Sequence, residues 1–355
     1  MLPSNSDRVN HQAESLREVK YKYSNNLAEL LTKLQVSLLF STYQAGKLGV
    51  VTARNNSLNF GFHNFDRAMG IANSPTQMAL GGKDWIYFLR NDQAIAPQLE
   101  PPGSYDACYL TRGGQYTGDI SVHDLAWGGK ELWLVNTRFS CLCTLSNSFN
   151  FLPQWRPAFI SAIAPEDRCH LNGLAMVAGM PKYVTVLGQT DTPGGWRERK
   201  ASGGCVLEVP SSKVVARGLS MPHSPRVTNN TLWVLNSGCG ELLKIDLASG
   251  KSEIIVTLPG YTRGLALIDK YAFVGLSQIR ETAIFGNLPI GDRFDNLKCG
   301  IAVVDLSNQQ MVGLIEFSAG IEEIFDLQIS KFVLPMISGP YATAENNQIW
   351  SLPKD

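Results

Sequence analysis

Charge is in short supply in this chain of 355 residues: Asp, Glu, Lys and Arg make up 17% of it, against about 25% in an average soluble protein. With apolar residues at 44%, much of the sequence must be interior, and disorder is excluded from all but the ends. What charge there is cancels, 31 basic against 31 acidic residues. No overall field therefore draws the chain to nucleic acid or an anionic membrane, and neither is an expected partner. Runs of ~18 apolar residues, the length of a membrane span, are also missing. Met1 to Gln35 has neither the apolar stretch nor the small-residue cleavage site of a secretory signal, so a cytoplasmic location is the expectation. The seven cysteines form an odd set without paired spacings, and a chain of this length builds a core without disulfides. They are read as reduced and mostly packed. Phosphate-loop, Gly-x-Ser-x-Gly, His-Glu-x-x-His and zinc-finger patterns are absent too, which leaves the familiar nucleotide, nucleophile and metalloprotease chemistries without support.

What is present is mostly strand. One helical signal stands near the start, where Leu27, Leu30, Leu31 and Leu34 recur at helical spacing and Asn26 with Glu29 reads as a cap pair. From Val36 onward, short runs of Val, Ile, Leu, Phe, Trp and Tyr alternate with Gly, Asn, Asp, Ser and Pro, as strands joined by tight turns require. A phrase of a small or polar residue, an aliphatic and Ala recurs as Gly70-Ile71-Ala72, Asp124-Leu125-Ala126, Gly173-Leu174-Ala175 and Gly264-Leu265-Ala266. Looser relatives stand at Pro225-Arg226-Val227 and Asp326-Leu327-Gln328. Second strands are expected at Trp85 to Leu89, Leu132 to Val135, Tyr183 to Leu187, Leu232 to Leu235 and Tyr271 to Val274.

The phrases at 70, 124, 173, 225, 264 and 326 are 54, 49, 52, 39 and 62 residues apart, near the ~40–50 of a four-stranded propeller blade. A β-sandwich gives no reason for one phrase to recur at that spacing. The expected fold is all-β, a β-propeller of about six blades with a short N-terminal helix. Residues 1–25 are expected to be a polar, flexible segment, and 26–355 a single propeller domain. Gln348 to Leu352 is expected to pair with strands at Ser37 to Tyr43 and Lys47 to Ala53, closing the ring and removing a free edge.

In a propeller the first strand of each blade lines the channel, so the phrases locate the residues that face it. Close to them stand Arg67, His123, His170, Asn172, His223, Arg263, Glu322, Glu323 and Asp326. Four of the five histidines, His63, His123, His170 and His223, precede successive phrases. Imidazoles converging from several blades suit a divalent transition metal, Zn or Fe, with His123, His170 and His223 as ligands. Their offsets differ, however, and strand side chains alternate faces, so hydrogen bonding to neighbouring blades is the competing reading. Cys141 and Cys143 share a strand face and Cys169 adjoins His170, but the two-residue spacing of thiol pairs is lacking and packing is expected. Asp191 to Lys200 is a polar insertion, read either as a flap over the channel or as a solvated loop.

The segments Ser41-Thr42-Tyr43-Gln44-Ala45-Gly46-Lys47-Leu48, Trp133 to Leu142, His170-Leu171-Asn172-Gly173-Leu174-Ala175 and Met221-Pro222-His223-Ser224-Pro225-Arg226 resemble a bacterial family of conserved proteins of unknown function. The resemblance spans nearly the whole chain from about residue 27 and implies propeller-like repeats without an activity. A weaker resemblance, carried by Asn172-Gly173-Leu174-Ala175, is to six-bladed calcium-dependent lactonase and strictosidine-synthase-like propellers. It implies a metal-binding Asn, yet His123 and Arg263 stand at the matching offsets. By architecture alone, His-bearing channels are similar to those of zinc lyase and four-His iron oxygenase propellers.

Two functions follow as expectations. One is a metal-dependent hydrolase or lyase acting on a small carboxylate-bearing substrate, with His123, His170, His223 and Arg263 catalytic and Asn172, Arg67, Glu322 and Glu323 contacting substrate. The other is a non-catalytic propeller that binds a protein or peptide. The residues leave oligomeric state open.

Overall fold

All six recurring phrases lie on innermost strands in the computed structural model, which describes residues 18–279, 286–341, 349 and 351. Six sheets, each four antiparallel strands from the channel outward, stand around one axis. Blade one takes its inner strand from the far end of the chain, Asp326–Ser330, followed by Ser37–Thr42, Lys47–Arg54 and Ser57–Asn64. Blade two runs Ile71–Asn73, Gln77–Gly81, Trp85–Asn91 and Ala107–Tyr116. Blade three runs Val122–Gly128, Glu131–Asn136, Cys141–Thr144 and Leu152–Trp155. Blade four is Leu171–Val177, Met180–Val186, Gly204–Glu208 and Val214–Leu219, and blade five Pro222–Thr228, Thr231–Asn236, Glu241–Ile245 and Ser252–Thr257. Blade six is Tyr261–Ile268, Tyr271–Ser277, Cys299–Asp305 and Gln310–Ala319. Apolar side chains interleave between neighbouring blades, as where Leu38, Phe40 and Val51 of blade one meet Phe273, Ile301 and Val303 of blade six. The core is thus a set of wedges around the channel.

The ring closes where Ser37–Thr42 pairs antiparallel with Asp326–Ser330. The strand expected over Gln348 to Leu352 lies mostly outside the described residues. Of its two described members, Ile349 packs near Cys108 and Leu110 of blade two, and Ser351 bonds Asp92. Pro335–Ser338, which precedes it, adds in parallel to the outer strand of blade two at Ala107 to Leu110. Within the segment expected to be flexible, Lys20–Tyr23 pairs with the outer strand of blade six. The chain therefore covers two outer edges with its own ends.

Two local expectations need correcting. The second strand of blade two is Gln77–Gly81, and the more aromatic Trp85–Asn91 is third; apolar content does not rank a strand's distance from the axis. The helix spans Leu27–Leu34, but Asn26 is itself helical and makes no side-chain cap. Its amide donates instead to the carbonyl of Val312, 3.0 Å away on blade six, so docking displaces the local cap.

The residue that opens each phrase, or in blade five the Ser224 just before it, alternates around the ring. Blades one, three and five place Asp326, Asp124 and Ser224 there, and blades two, four and six place Gly70, Gly173 and Gly264. Each polar side chain accepts from the backbone N–H of the next blade: Asp326 from Ile71 at 2.8 Å, Asp124 from Leu174 at 3.0 Å and Ser224 from Gly264 at 3.0 Å. At the other three junctions the glycines allow backbone contact. A Cβ at Gly173 would stand 2.3 Å from Pro225 and 3.0 Å from the Ser224 nitrogen, and one at Gly264, where φ is +81°, would stand 2.7 Å from the Leu327 nitrogen. Hydrogen bond and close approach thus alternate at six junctions. Replacing Gly173 by Ala should cost about 1–3 kcal/mol through forced separation of blades four and five. Gly113→Ala, with no atom within 4 Å of the added carbon, should stay within ~0.5 kcal/mol of the parent. Urea unfolding of the two variants checks the difference, and equal midpoints would refute the junction argument.

Candidate functional site at the channel mouth

Because side chains on a strand point alternately to two faces, the residue just before each member of this layer (Asp326, Gly70, Asp124, Gly173, Ser224 and Gly264) and the one two places earlier share a direction. The nearer set, from blade one to blade six, is Phe325, Met69, His123, Asn172, His223 and Arg263. The farther set is Glu323, Arg67, Ser121, His170, Met221 and Tyr261. The differing histidine offsets are thereby reconciled, since His123 and His223 occupy the nearer ring and His170 the farther. The rings of His123 and His170 meet edge to face at 4.8 Å, and His123 lies 5.3 Å from Phe325. The Arg263 guanidinium stacks over Phe325 at 3.4 Å. Phe325 in turn stacks on Tyr43 at 5.8 Å, and Arg67 lies 5.4 Å over Tyr43. Histidines from three blades and arginines from two others therefore share one mouth.

Each histidine is fixed through Nδ1. His123 bonds the Ser121 carbonyl and His223 the Met221 carbonyl, both at 2.8 Å, while His170 bonds the Asp167 carboxylate at 2.9 Å. A carbonyl only accepts, so Nδ1 of His123 and His223 must carry the proton, leaving Nε2 as the basic nitrogen. Ser121 and Met221 sit at φ +51° and +48°, the left-handed turn that brings their carbonyls back to the ring two residues on. Burial holds the His123 proton affinity well below the ordinary range, with His170 and Arg263 adding to the effect. For His223 the same lowering comes from burial and then Arg263. Both are neutral bases at neutral pH.

Arg263 is the least compensated charge in the mouth. Among the described residues it makes no ion pair, and its Nη2 is buried without a hydrogen-bond partner. Glu323 is near enough to act on it electrostatically but forms no contact pair, accepting instead from the Gln44 N–H at 2.6 Å. Burial raises the Glu323 carboxyl above its usual range, against the pull of Arg263. Glu322 is exposed on the adjoining turn. Asn172 is buried and gives its amide N–H to the Pro222 carbonyl of blade five at 3.0 Å, so it joins blades as well as lining the mouth. His63 is elsewhere. It stands on the outermost strand of blade one and lines a side groove of about 410 Å³ with Arg54, Tyr105 and Met336.

The floor of the mouth was not visible in the sequence. Arg226, on the inner strand of blade five, meets Asp124 at 3.0 Å and Asp326 at 3.6 Å across the channel. It also donates to the carbonyls of Leu174 and Leu265. Burial and the neighbouring Asp124 push the Asp326 carboxyl up to about 6, with Arg226 opposing. Below this plug a separate funnel of about 580 Å³ opens at the other end, lined by Arg226, Trp127, Met176 and Lys331. The sign that could have revealed the plug was the presence of two Asp and one Arg in the phrases of alternate blades.

The 191–200 insertion is neither free nor merely solvated. It contains a short 3-10 turn, Gly195–Arg199, whose Trp196 is buried against Tyr261, Leu288 and Ile290. The Trp196 ring lies 4.4 Å from His170, and its indole N–H donates to Asp167 at 3.0 Å. Insertions of blades four and six thus cover one side of the mouth. Among the described residues, no three His, Cys, Asp or Glu side chains gather as a metal-ligand set. Cys141 and Cys143 pack between blades two and three, and burial pushes Cys169 up to about 12, so these are packed thiols.

Six closed blades, a plugged channel and one polar mouth make this a six-bladed β-propeller with a candidate ligand site on its axis. The family is then given by sequence: residues 25–341 match a domain of unknown function (DUF4915), and the chain belongs to that family. No curated protein matches it. Among solved structures it is similar to a chain in the crystal structure of a nidogen/laminin complex, with a TM-score of 0.50 and 10% identity over 83% of this chain and 98% of that one. Likeness at that identity concerns the fold alone. No helix among the described residues is long and apolar enough to cross a membrane.

The buried histidines have a consequence for stability. His63 is lowered to about 4 by burial and then Lys47, while His123 and His223 also lie well below their unfolded value of 6.5. The unfolded chain therefore binds more protons below pH 6.5, and stability falls with pH by up to ~1.4 kcal/mol per unit for each histidine. Asp326, raised to about 6, and Glu323, raised above its usual range, work in the opposite direction as pH falls and offset part of the histidine contribution. Denaturant midpoints from pH 7.5 to 5 should decline, and His223→Asn should flatten the slope. A flat profile in the parent would show that these rings are protonated in the fold.

Proposed function

We propose that the channel mouth binds a small carboxylate-bearing molecule and that a neutral histidine acts on it as general base, in hydrolase or lyase chemistry. The observation that carries this reading is Arg263, a guanidinium that makes no ion pair among the described residues and has a buried, unpartnered nitrogen, held on Phe325 beside three imidazoles. A cation desolvated without a partner is costly, and a carboxylate arriving at its fork supplies the missing charge and acceptors. Burial, with this cation adding to it, keeps His123 and His223 unprotonated, so their Nε2 lone pairs can take a proton from a group held beside the carboxylate. Arg67, Asn172, Glu322 and Glu323 are the proposed surroundings of the ligand. Tyr43 and Phe325 offer its apolar part a face.

A second reading rests on the Nδ1 anchoring. Metal-bound imidazoles are commonly held through the other ring nitrogen, so Zn or Fe on His123, His170 and His223 has that feature in its favour, against the repulsion of Arg263. Elemental analysis separates the two, since stoichiometric metal lost in a His123→Ala, His223→Ala pair would favour the metal.

For the carboxylate, calorimetric titration should show butyrate binding and butyramide not. Arg263→Gln should abolish binding, and Arg263→Lys should weaken it by about 1–3 kcal/mol through loss of the bidentate fork. Equal behaviour of acid and amide would sink the reading and leave a non-catalytic propeller that binds a protein or peptide.

A further inference from the structure

Opposite Arg263, on the rim between blades two and four, two arginines share one carboxylate. Asp119 receives Arg138 at 3.0 Å and Arg67 at 3.4 Å on the same oxygen, Oδ2. Its other oxygen, Oδ1, accepts from the Ser121 N–H and hydroxyl. Two guanidinium charges thus meet one carboxylate whose capacity is taken up. As at Arg263, a donor is left over, for Arg138 Nε is buried without a partner. Both arginines remain about two-fifths exposed, so their outer N–H groups are open to a ligand.

The position of this pair is set by the propeller. Arg67 belongs to the farther ring of the mouth, in the same strand position as His170 and Glu323. The Arg138 backbone carbonyl accepts from Asp167 at 2.9 Å, which puts its turn beside the Asp167–His170 pair. Blade three and blade six face each other across a six-membered ring, so Arg138 and Arg263 lie on opposite sides of the axis. Between them the mouth is bridged by Phe325, 5.3 Å from His123 and under Arg263.

We infer that the ligand is a small dicarboxylate, one acid group held by Arg263 and the other by Arg67 and Arg138, with its carbon chain across Phe325 beneath His123 and His170. This rests on the carboxylate reading and adds a second point of recognition. Two-ended capture fixes the chain between the histidines in a way that one guanidinium, free to rotate its ligand, does not. The Arg67–Arg138 locus is partly solvated, so the second acid group should strengthen binding at low salt and less so at high salt.

The test uses the full chain and a homologous set of probes, the dicarboxylates from succinate to suberate, each compared by calorimetry with the monocarboxylate of equal length. At least one dicarboxylate should bind ten-fold or more tightly than its partner. Arg67→Gln with Arg138→Gln should abolish the gap between that dicarboxylate and its monocarboxylate partner, both measured on the same variant, and the Lys versions should restore part of it. Thermal melts of the Gln variants show whether they fold, and the Lys pair serves if they do not. Should mono- and dicarboxylates bind alike, or the Gln pair weaken both equally, the two-point inference falls while the Arg263 reading stands. Binding of neither class overturns both.

Discussion

Arg226 reaches from blade five to the carboxylates of blades three and one and to backbone carbonyls of blades four and six. Five of the six blades thus converge on one guanidinium at the axis. A buried ion cluster of this kind is a demanding choice, because removing any member leaves an uncompensated charge where water cannot repair it. It is tolerable because both carboxylates have other work. Asp124 and Asp326 each bind the backbone of the next blade, so the groups that balance Arg226 also space the inner strands. With Ser224 they hold three junctions by hydrogen bonds, while Gly70, Gly173 and Gly264 let the other three close by contact.

That layer determines what the mouth above it can be. Since the channel is stopped at the Asp–Arg cluster, the mouth is a cup with a charged floor. The residue just before each of the six layer residues must point the same way on its strand, and this is how His123, His223, Arg263 and Phe325 come to surround one space. The two arginines, one layer apart, differ in that Arg226 has its carboxylates, whereas Arg263 makes no ion pair among the described residues. Insertions from blades four and six, joined at Trp196, Leu288 and Ile290, roof part of the cup.

Much of this could be read from the chain. The repeated phrase located every inner strand, and its spacing the number of blades. Their places relative to the phrases put His123, His170, His223 and Arg263 at one end of the axis. His63 also precedes a phrase, but distance along the chain does not say which strand of a blade a residue occupies, and it stands on the outermost strand of blade one. Asn26 looked like a helix cap because local chemistry favours it, and blade six took its amide instead. Tyr43, Phe325, Asp119 and Arg138 went unnoticed, each lying in a turn or aromatic position without a pattern of its own.

The sequence by itself determined the repeat, the alternation of faces and the chemical kinds of residue brought to the axis, because these follow from strand periodicity within some ten residues. Tertiary structure alone decided the pairings. That Ser37–Thr42 joins Asp326–Ser330, that Arg226 meets two aspartates and Arg263, among the described residues, none, and that one Asp119 serves two arginines all depend on contacts between residues tens to hundreds of positions apart. Those contacts are chosen by ring closure and by the cost of leaving a buried charge or backbone group unpaired, terms that exist only once the six blades stand side by side.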